Sequence, residues 1–402
     1  MNGPLSLPPR AARQAVRVML CDDSATARSA FARLLGNDPE LDIIGGVGDG
    51  QQALDAITAL PPGQRPHVLL LDLEMPVMDG MTALPRLLRL QPGLAVIVAS
   101  ALTQRGAEAA MAALRSGASD YVPKPTASAG GMNDPAFRAE LLAKVKGWAR
   151  VRAAPRAAPA PVVSQPGPLP RPPAYAFQVS AAKPRSIGMP AGIPVRMPGA
   201  RPRPRLLAIG ASTGGLQALA AFVKRLTAPL PLPGVIVQHM PAGFTAMLAD
   251  HLSRLGGPQA AEARDGEMLR AGRFYVAPGD RHLLVENGPG GMVARLTSGP
   301  PENFCRPAVD PMLRSAVRAC DGQVLAVILT GMGQDGMLGC KAVAAAGGTV
   351  MAQDEASSVV WGMPGAVARA GLAEHLLPPE QLAERVLAQF GAGTPGAARG
   401  MA

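Results

Sequence analysis

Residues 68–80 of the chain read VLLLDLEMPVMDG. The first part is aliphatic without polar alternation, which is typical of a strand buried on both faces of a parallel sheet. Asp72 stands where the run VLLL ends. The stretch therefore predicts a buried strand that delivers a carboxylate to the carboxyl edge of a parallel sheet, the edge at which open α/β sheets bind their ligands.

Short apolar runs on either side of this stretch alternate with amphipathic, helix-like segments. The runs VRVML, LDIIGGV, LAVIVAS and DYVP are separated by segments such as SATARSAFARLLGN and GAEAAMAALRSGA. Repeated strand and helix patterns predict a parallel sheet covered by helices on both faces. Residues 15–145 are therefore predicted to form one α/β domain.

A second block, residues 205–390, repeats this organisation. Its apolar runs are RLLAIGAS, GVIVQHM, RFYVAPG, VLAVILTGM and TVMAQD. The stretch HLLVENGPGGMVARLTS has turn residues at its centre, which predicts an antiparallel hairpin. The predicted fold class is α/β, with two doubly wound parallel-sheet domains, the second of which carries an added hairpin.

The two blocks are joined by a Pro/Arg-rich linker, residues 146–204. Fourteen prolines lie between residues 155 and 204, and residues 151–205 carry nine Lys and Arg but no Asp or Glu. This composition predicts an extended, semi-rigid connection. Because the whole chain has a net charge of +10, the segment leaves only +1 for the remainder, which argues against a folded nucleic-acid-binding face.

Composition bounds the class of protein and its compartment. Hydrophobic residues make up 48% and charged residues 17% of the chain, which excludes a mainly disordered protein. The four cysteines form no short-spaced pair, so a CxxC metal or redox site is not expected. No apolar run approaches the roughly 18 residues of a membrane helix. We expect a cytoplasmic protein with reduced thiols and no direct membrane insertion.

Polar residues follow the apolar runs of the first block at the point where each predicted strand ends. They are Asp22, Asp23, Asp72, Ser100 and Lys124. In an open parallel sheet these ends share one edge, so three carboxylates, a hydroxyl and an ammonium group converge there. Carboxylates brought together need a compensating cation, and oxygen ligands favour Mg²⁺. A carboxylate beside Mg²⁺, Lys and Ser has the chemistry of a phosphoryl acceptor.

The second block places a serine, a histidine and an aspartate at predicted strand ends. Ser212 lies in GASTGG, a sharp turn before a helix that starts near Gly215, where helix amides favour a developing oxyanion. His239 ends GVIVQH and is the candidate base, and Asp335 in the loop after VLAVILT is the candidate orienting acid. The same turn could cradle a phosphate, but GxGxxG and the Walker lysine are both absent.

Other acids of the second block lack a strand-end position, namely Asp265, Asp280, Asp310 and Asp321. The order Ser, His, Asp along the chain differs from the order Ser, Asp, His of α/β-hydrolases, which argues against that fold. A triad is nevertheless defined by its geometry and not by its order along the chain.

The first block resembles a response-regulator receiver domain, which is flavodoxin-like. The motifs that carry the resemblance are DD at 22–23, LDLEMPVMDG around Asp72, AS at 99–100 and YVPKP at 121–125. The resemblance implies that a histidine kinase phosphorylates Asp72. It also implies Mg²⁺ ligands at Asp22, Asp23, Asp72 and the backbone carbonyl of Glu74, switch residues at Ser100, Tyr121 and Lys124, and a cis peptide between Lys124 and Pro125.

The second block closely resembles the catalytic domain of the chemotaxis protein-glutamate methylesterases, the CheB family. The matching stretches are AIGASTGG, VQHMP, FYVAPGDRH, RPAVDPML, LTGMGQDG and QDEASSVVWGMPGAV. The resemblance implies a catalytic triad of Ser212, His239 and Asp335 that works without a cofactor. It further implies that Thr213 and the backbone amide of Met332 act as oxyanion or orienting groups.

The two resemblances together imply a phosphorylation-activated protein-glutamate methylesterase for chemotactic adaptation. Such an enzyme hydrolyses glutamyl γ-methyl esters on methyl-accepting chemoreceptors, and the family also deamidates receptor glutamines. Its implied partners are chemoreceptors, at whose cytoplasmic arrays it acts, and a chemotaxis histidine kinase. The unphosphorylated receiver is expected to cover the edge that holds Ser212. The alternative is a non-catalytic response regulator whose second block only binds a partner.

Overall fold

The computed structural model describes residues 15–100, 103–124, 131, 134–153, 196, 203–227 and 229–390. Two parallel sheets and one antiparallel hairpin organise these residues into two α/β units. We call them the N-terminal unit (residues 15–153) and the C-terminal unit (residues 203–390). This architecture confirms the predicted fold class, including the hairpin.

The N-terminal unit is a parallel sheet flanked by helices. Its strands are β1 (Val16–Cys21), β2 (Leu41–Val47), β3 (Val68–Asp72), β4 (Ala95–Ser100) and β5 (Asp120–Pro123). Its helices are α1 (Ala25–Gly36), α2 (Gly50–Ala59), α3 (Gly80–Leu90), α4 (Gln104–Arg115) and α5 (Pro135–Ala153), and a short 3₁₀ helix spans Pro62–Gln64. The strand order β2-β1-β3-β4-β5, with parallel neighbours throughout, is that of a flavodoxin-like sheet.

The C-terminal unit has a larger parallel sheet and the hairpin. The parallel strands are β6 (Leu206–Ala211), β7 (Gly234–Gln238), β8 (Gln259–Glu262), β9 (Arg273–Val276), β12 (Val324–Ile328), β13 (Thr349–Gln353) and β14 (His375–Leu377), and the hairpin pairs β10 (His282–Gly288) with β11 (Gly291–Thr297). The helices are α6 (Gly215–Arg225), α7 (Phe244–Ser253), α8 (Val309–Ala319), α9 (Met337–Ala345), α10 (Met363–Arg369) and α11 (Pro379–Ala388). The sheet order is β14-β13-β12-β6-β7-β9-β8.

The central strands explain why the sequence folds into buried sheets. Every residue of β3, β4, β6, β7, β12 and β13 is buried. Continuous aliphatic runs suit strands that are covered by helices on both faces. In the larger sheet the chain reverses its direction of growth between β6 and β12, and the crevice at such a switch point is where open α/β sheets bind ligands.

Helix α5 extends beyond the predicted end of the first domain. The predicted boundary at residue 145 lies inside this helix, which continues to Ala153. Trp148 is buried and its Nε1 donates to Asp120 Oδ2 over 3.0 Å. The predicted boundary followed the Pro- and Arg-rich composition, and α5 continues up to the start of that composition.

The two units pack against each other through aromatic and backbone contacts. The ring of Tyr121 in β5 stacks on Phe244 at the start of α7, with centroids 4.9 Å apart and an interplanar angle of 16°. Gln217 of α6 donates from Nε2 to the backbone carbonyl of Ala118 over 2.9 Å. Strand β5 of the N-terminal unit and the turn before it therefore contact α6 and the start of α7 in the C-terminal unit.

Val359, in the loop between β13 and α10, is buried in the same interface. A Cβ on Gly147 of α5 would lie 2.2 Å from the Val359 carbonyl oxygen, and a Cβ on Gly214 would lie 2.5 Å from a Val359 methyl group. Arg150 donates to the same carbonyl over 3.2 Å. Val359 thus lies between α5 of one unit and the turn that follows β6 in the other.

Within the described residues, no helix combines the length and apolar character that a membrane crossing requires. The predicted cis peptide before Pro125 involves a residue outside the described part of the chain.

Candidate functional sites

An acidic pocket lies at the carboxyl edge of the N-terminal sheet. Lys124 Nζ is 2.9 Å from Asp22 Oδ2 and 2.7 Å from Asp72 Oδ2. Asp23 is exposed beside them, and one carboxylate oxygen from each of the three aspartates lies within 4.8 Å of the others. The structure therefore brings together the four charged residues that were predicted to meet at this edge.

Burial sets the electrostatics of this pocket. It raises the pKa of Asp72 above its ordinary value, and the Lys124 ammonium opposes that shift without cancelling it. Burial would lower the pKa of Lys124, but hydrogen bonds to Asp22 and Asp72 raise it. One ammonium group thus partly balances a cluster of carboxylates, which leaves room for a further cation.

Two features of this pocket fit a hard divalent cation and a phosphoryl group. The clustered ligand atoms are all carboxylate oxygens, the donors that Mg²⁺ prefers. Ser100 Oγ is buried and has no hydrogen-bond partner among the described residues. Glu74, whose carbonyl was predicted as a ligand, is exposed and donates its backbone N–H to Asp72 Oδ1 over 3.3 Å. These residues can hold a cation and receive phosphoryl oxygens.

Tyr121, predicted as a switch residue, lies at the interface between the units. Its ring is buried against Phe244, and Lys144 Nζ lies 5.0 Å from the ring centroid. Burial raises the pKa of the Tyr121 phenol well above its ordinary value. The neutral, stacked ring joins β5, three residues before Lys124, to α7 of the C-terminal unit.

A second site lies at the carboxyl ends of three adjacent strands in the larger sheet. Ser212 follows β6, His239 follows β7, and Asp335 lies in the loop between β12 and α9. Since β12, β6 and β7 are neighbours in the sheet, the three residues lie at the same edge of it. In the structure, Ser212, His239 and Asp335 follow the carboxyl ends of their strands, as the sequence predicts.

The turn at Ser212 is fixed through its backbone. The Ser212 N–H donates to the Thr330 carbonyl over 3.0 Å, and the Gly215 N–H donates to the Ser212 carbonyl over 2.8 Å. Gly214 has a φ of 75°, a left-handed conformation that glycine adopts without a steric penalty. The turn leads directly into α6, so Ser212 lies beside a helix N-terminus, as predicted.

His239 and Asp335 form a tight buried pair. His239 Nε2 lies 2.8 Å from Asp335 Oδ2. Because an ionised carboxylate only accepts hydrogen bonds, Nε2 carries the proton and Nδ1 is the nitrogen that can take a proton from a nucleophile. Ser212 Oγ makes no hydrogen bond to His239 in the described residues, and Nδ1 instead faces Cys305 Sγ at 3.4 Å.

Asp335 is held by the first turn of α8. Its Oδ2 accepts from the Val309 N–H over 2.6 Å, and its Oδ1 accepts from the Asp310 N–H over 3.1 Å and the Gly336 N–H over 2.9 Å. Asn303 Nδ2 donates to the same Oδ1 over 3.0 Å. Because both carboxylate oxygens accept hydrogen bonds and lie at the N-terminus of α8, the Asp335 side chain stays ionised and its orientation is fixed.

The two titratable groups shift in opposite directions. Burial lowers the pKa of His239, but the hydrogen bond to Asp335 outweighs burial and raises the pKa above the ordinary histidine value. Burial raises the pKa of Asp335, but His239 and the α8 amides outweigh it and lower the pKa. The carboxylate therefore stabilises an imidazolium, which is what a base needs after it has taken a proton.

The predicted oxyanion groups lie close to Ser212. Thr213 is buried and its carbonyl accepts from Thr330 Oγ1 over 2.9 Å. Gly331 packs so closely on the serine that a Cβ there would lie 2.8 Å from Ser212 Cβ, and Met332 follows it. The Met332 N–H donates to no carbonyl or side chain of the described residues. That free amide is available to an oxygen bound at Ser212.

Sequence reasoning missed three residues that contact the His–Asp pair. Asn303 and Cys305 lie in an irregular turn, ENFC, that has no strand-end signal. Asp310 was set aside for the same reason, yet its side chain is buried and accepts from Asn303 Nδ2 over 3.0 Å. The motif RPAVDPML, residues 306–313, includes Asp310 and begins directly after Cys305, but its sequence does not indicate these contacts.

Comparison with known families divides the chain in the same way. A family profile described as CheB methylesterase matches residues 207–386. A second profile, described as response regulator receiver domain, matches residues 18–132. Each of the two sites described above lies within one of these matches.

Full-length relatives extend the similarity over nearly the whole chain. Protein-glutamate methylesterase/protein-glutamine glutaminase 1 of Paramagnetospirillum magneticum is 47% identical over 386 residues, covering 94% of this chain and 97% of that protein. The enzyme of the same name from Azospirillum brasilense is 49% identical over 368 residues, covering 91% of each. The solved catalytic domain of Thermotoga maritima CheB methylesterase is 40% identical and covers 46% of this chain and 98% of that one, with a TM-score of 0.45.

Proposed function

The chain belongs to the CheB methylesterase family with a receiver domain, and on that premise we propose that it demethylates chemoreceptors at Ser212, His239 and Asp335. It is a phosphorylation-activated protein-glutamate methylesterase that serves chemotactic adaptation. The observation that carries the site assignment is the 2.8 Å His239–Asp335 pair at the strand ends adjacent to Ser212. The substrates are glutamyl γ-methyl esters on methyl-accepting chemoreceptors.

The proposed reaction is an acyl transfer in two halves. Ser212 Oγ attacks the ester carbonyl while His239 Nδ1 takes its proton, and the same proton then leaves with methoxide as methanol. Asp335 keeps Nε2–H oriented and stabilises the imidazolium. The Met332 amide and the N-terminus of α6 receive the oxyanion. Water then hydrolyses the acyl-enzyme, with His239 as base, and leaves a free glutamate.

Deamidation of receptor glutamines uses the same groups. The two relatives described above are named protein-glutamine glutaminases as well as methylesterases. An amide carbonyl undergoes the same attack by Ser212, with ammonia leaving in place of methanol. We assign this second activity to the same triad.

Methanol release from methylated receptors tests the function directly. We expect the full-length chain to release methanol from purified methylated receptors, and to release it faster when a small phosphodonor is present. A chain that binds receptors but releases no methanol under either condition would instead be a non-catalytic response regulator.

The receiver domain is proposed to accept a phosphoryl group on Asp72 from a chemotaxis histidine kinase. Asp22, Asp23, Asp72 and the carbonyl of Glu74 would hold Mg²⁺, which when bound neutralises the phosphoryl oxygens. Lys124 is already within 2.7 Å of Asp72 and would follow the phosphoryl charge. The Ser100 hydroxyl, which has no hydrogen-bond partner within the described part of the chain, would donate to a phosphoryl oxygen. We place the enzyme in the cytoplasm, recruited to receptor arrays.

Phosphorylation is expected to require both Asp72 and a divalent cation. Incubation with a small phosphodonor should add one phosphoryl group to the wild type and none to Asp72→Asn, as measured by intact-protein mass. Asp79→Asn is the matched control, because Asp79 is an exposed cap of α3 and asparagine caps a helix equally well. Equal labelling of wild type and Asp72→Asn, or labelling that persists in EDTA, would contradict this assignment.

The docked receiver is proposed to restrain the active site from two sides. On one side Tyr121 stacks on Phe244, only a few residues after His239. On the other side Val359 is held between Gly147 of α5 and Gly214 of the Ser212 turn. Phosphorylation would draw in Ser100 and move Tyr121. If the C-terminal unit binds this phosphorylated state of the receiver less tightly than the unphosphorylated state, phosphorylation weakens the docking.

Gly147→Ala should raise the activity of the unphosphorylated enzyme several-fold. The new Cβ would lie 2.2 Å from the Val359 carbonyl oxygen, so the docked arrangement has to open, whereas alanine suits the interior of α5 better than glycine. The measurement is the initial rate of methanol release with and without phosphodonor. Gly36→Ala in α1 is the control, since a Cβ there meets nothing within 4 Å. Equal unstimulated rates for Gly147→Ala and the wild type would rule out restraint by docking.

A further inference from the structure

The nitrogen that should serve Ser212 already has another partner. Cys305 Sγ lies 3.4 Å from His239 Nδ1, while Nε2 is engaged by Asp335 at 2.8 Å. In the neutral imidazole that catalysis requires, Nδ1 offers a single lone pair, and the Cys305 thiol donates to it. Ser212 Oγ makes no hydrogen bond with any of the described residues. Cysteine and serine thus compete for one position on the base.

The thiol is held there by a constrained turn. Backbone bonds of 3.1 and 2.9 Å join Glu302 and Cys305 across it. Asn303 and Phe304 both have left-handed backbone conformations, with φ of 52° and 63°, which are unfavourable for a residue such as phenylalanine. Such strain persists only where surrounding contacts impose it.

The contact that imposes this conformation comes from the triad itself. Asn303 Nδ2 bridges Asp335 Oδ1 and Asp310 Oδ2, each at 3.0 Å. The turn is therefore anchored on the acid at one end and presents its thiol to the base at the other. Cys305 is also the one cysteine of the chain's four that is not buried.

We propose that Cys305 is a positioning residue that holds His239 Nδ1 in the resting enzyme and must be displaced by Ser212 before attack. This inference rests on the proposed function, because it assumes that Ser212 and His239 act as nucleophile and base. A neutral hydrogen bond of this kind changes a rate by about two- to ten-fold when it competes with the productive contact. The thiol therefore makes the resting enzyme slower than its triad allows.

Cys305→Ala in the full-length chain, assayed with saturating phosphodonor, tests the proposal. Removing the donor leaves the Nδ1 lone pair to Ser212, so we expect kcat to rise about two- to ten-fold with KM unchanged. Cys305→Ser keeps a hydroxyl donor at the same position and should be slower than Cys305→Ala. A Cys305→Ala enzyme with wild-type or lower kcat, or one in which serine and alanine variants turn over equally, would overturn the proposal.

A spectroscopic measurement separates this role from a general effect on packing. The ¹⁵N resonance of His239 Nδ1 should move in Cys305→Ala, whereas the Nε2–H resonance, which reports the bond to Asp335, should stay in place. Movement of Nε2–H alone would contradict the proposal. Ser212→Ala distinguishes the two levels of inference. If Ser212→Ala is inactive and Cys305→Ala is no faster than the wild type, the proposed role of Cys305 is wrong and the proposed function stands. If Ser212→Ala keeps full activity, Ser212 is not the nucleophile and the proposed function itself is wrong.

Discussion

Ser212→Ala is expected to lower methanol release by about 10⁴-fold or more, because it removes the only atom that forms the acyl-enzyme. The fold should be unaffected. The contacts that fix the turn, from the Ser212 N–H to Thr330 and from Gly215 and Gln238 to the Ser212 carbonyl, are all made by the backbone of residue 212. Alanine keeps each of them.

The measurement is the rate of methanol release from methylated receptors, together with a binding assay for the receptor. Ser298→Ala is a suitable control, since Ser298 is an exposed serine of the same domain whose side chain contacts no triad residue in the described structure. Binding should persist in both variants. Turnover of Ser212→Ala close to that of Ser298→Ala would remove Ser212 from the mechanism.

Asp335→Asn is expected to reduce turnover by about 10⁴-fold, the loss seen when an orienting aspartate is replaced in a serine triad. The structure adds a second reason. Both oxygens of the carboxylate accept hydrogen bonds, from His239, Asn303 and several backbone N–H groups. An asparagine replaces one of these oxygens by an NH₂ group, which cannot accept and would face N–H donors. The imidazole then loses both its charge partner and its fixed tautomer.

The pH dependence gives an independent check on Asp335. The Asp335 carboxylate raises the pKa of His239, and the base must be neutral, so wild-type activity falls as the pH drops through that raised pKa. Without the carboxylate the pKa of His239 is lower, and the residual activity of Asp335→Asn should persist to lower pH. Asp321→Asn is the control because Asp321 is exposed and its ion pair in the described structure is with Arg205 and not with a triad residue. A larger loss in Asp321→Asn than in Asp335→Asn would show that the wrong acid was assigned.

The sequence predicted the sheets and the strand-end residues because both depend on local patterns. Aliphatic runs such as VLLL and VIV identify strands buried on both faces, and the parallel arrangement then brings their carboxyl ends to one edge. That reasoning predicted that Asp72 and Lys124 converge at the edge of the first sheet and that Ser212 and His239 both lie at the carboxyl edge of the second. Each of these positions could be predicted from the apolar run that directly precedes the residue in the sequence.

Contacts between segments distant in sequence could not be predicted in this way. Cys305 reaches His239 across 66 positions of the chain, and Arg150 reaches the Val359 carbonyl across 209. Neither contact leaves a periodicity or a spacing in the sequence. The burial of Trp148, which lies beyond the predicted domain boundary at residue 145, likewise depends on tertiary contacts such as its hydrogen bond to Asp120.

Val359 has a consequence for how the two domains can be exchanged. This residue of the catalytic domain belongs to the same buried apolar cluster as Phe137, Leu141, Val145 and Trp148 of the receiver. A receiver transplanted from another regulator would need glycine at this position of α5, because a Cβ there would lie 2.2 Å from the Val359 carbonyl oxygen. The receiver and the esterase domain are therefore complementary at this contact. A functional chimera would have to carry residues 357–360 together with the receiver against which they pack.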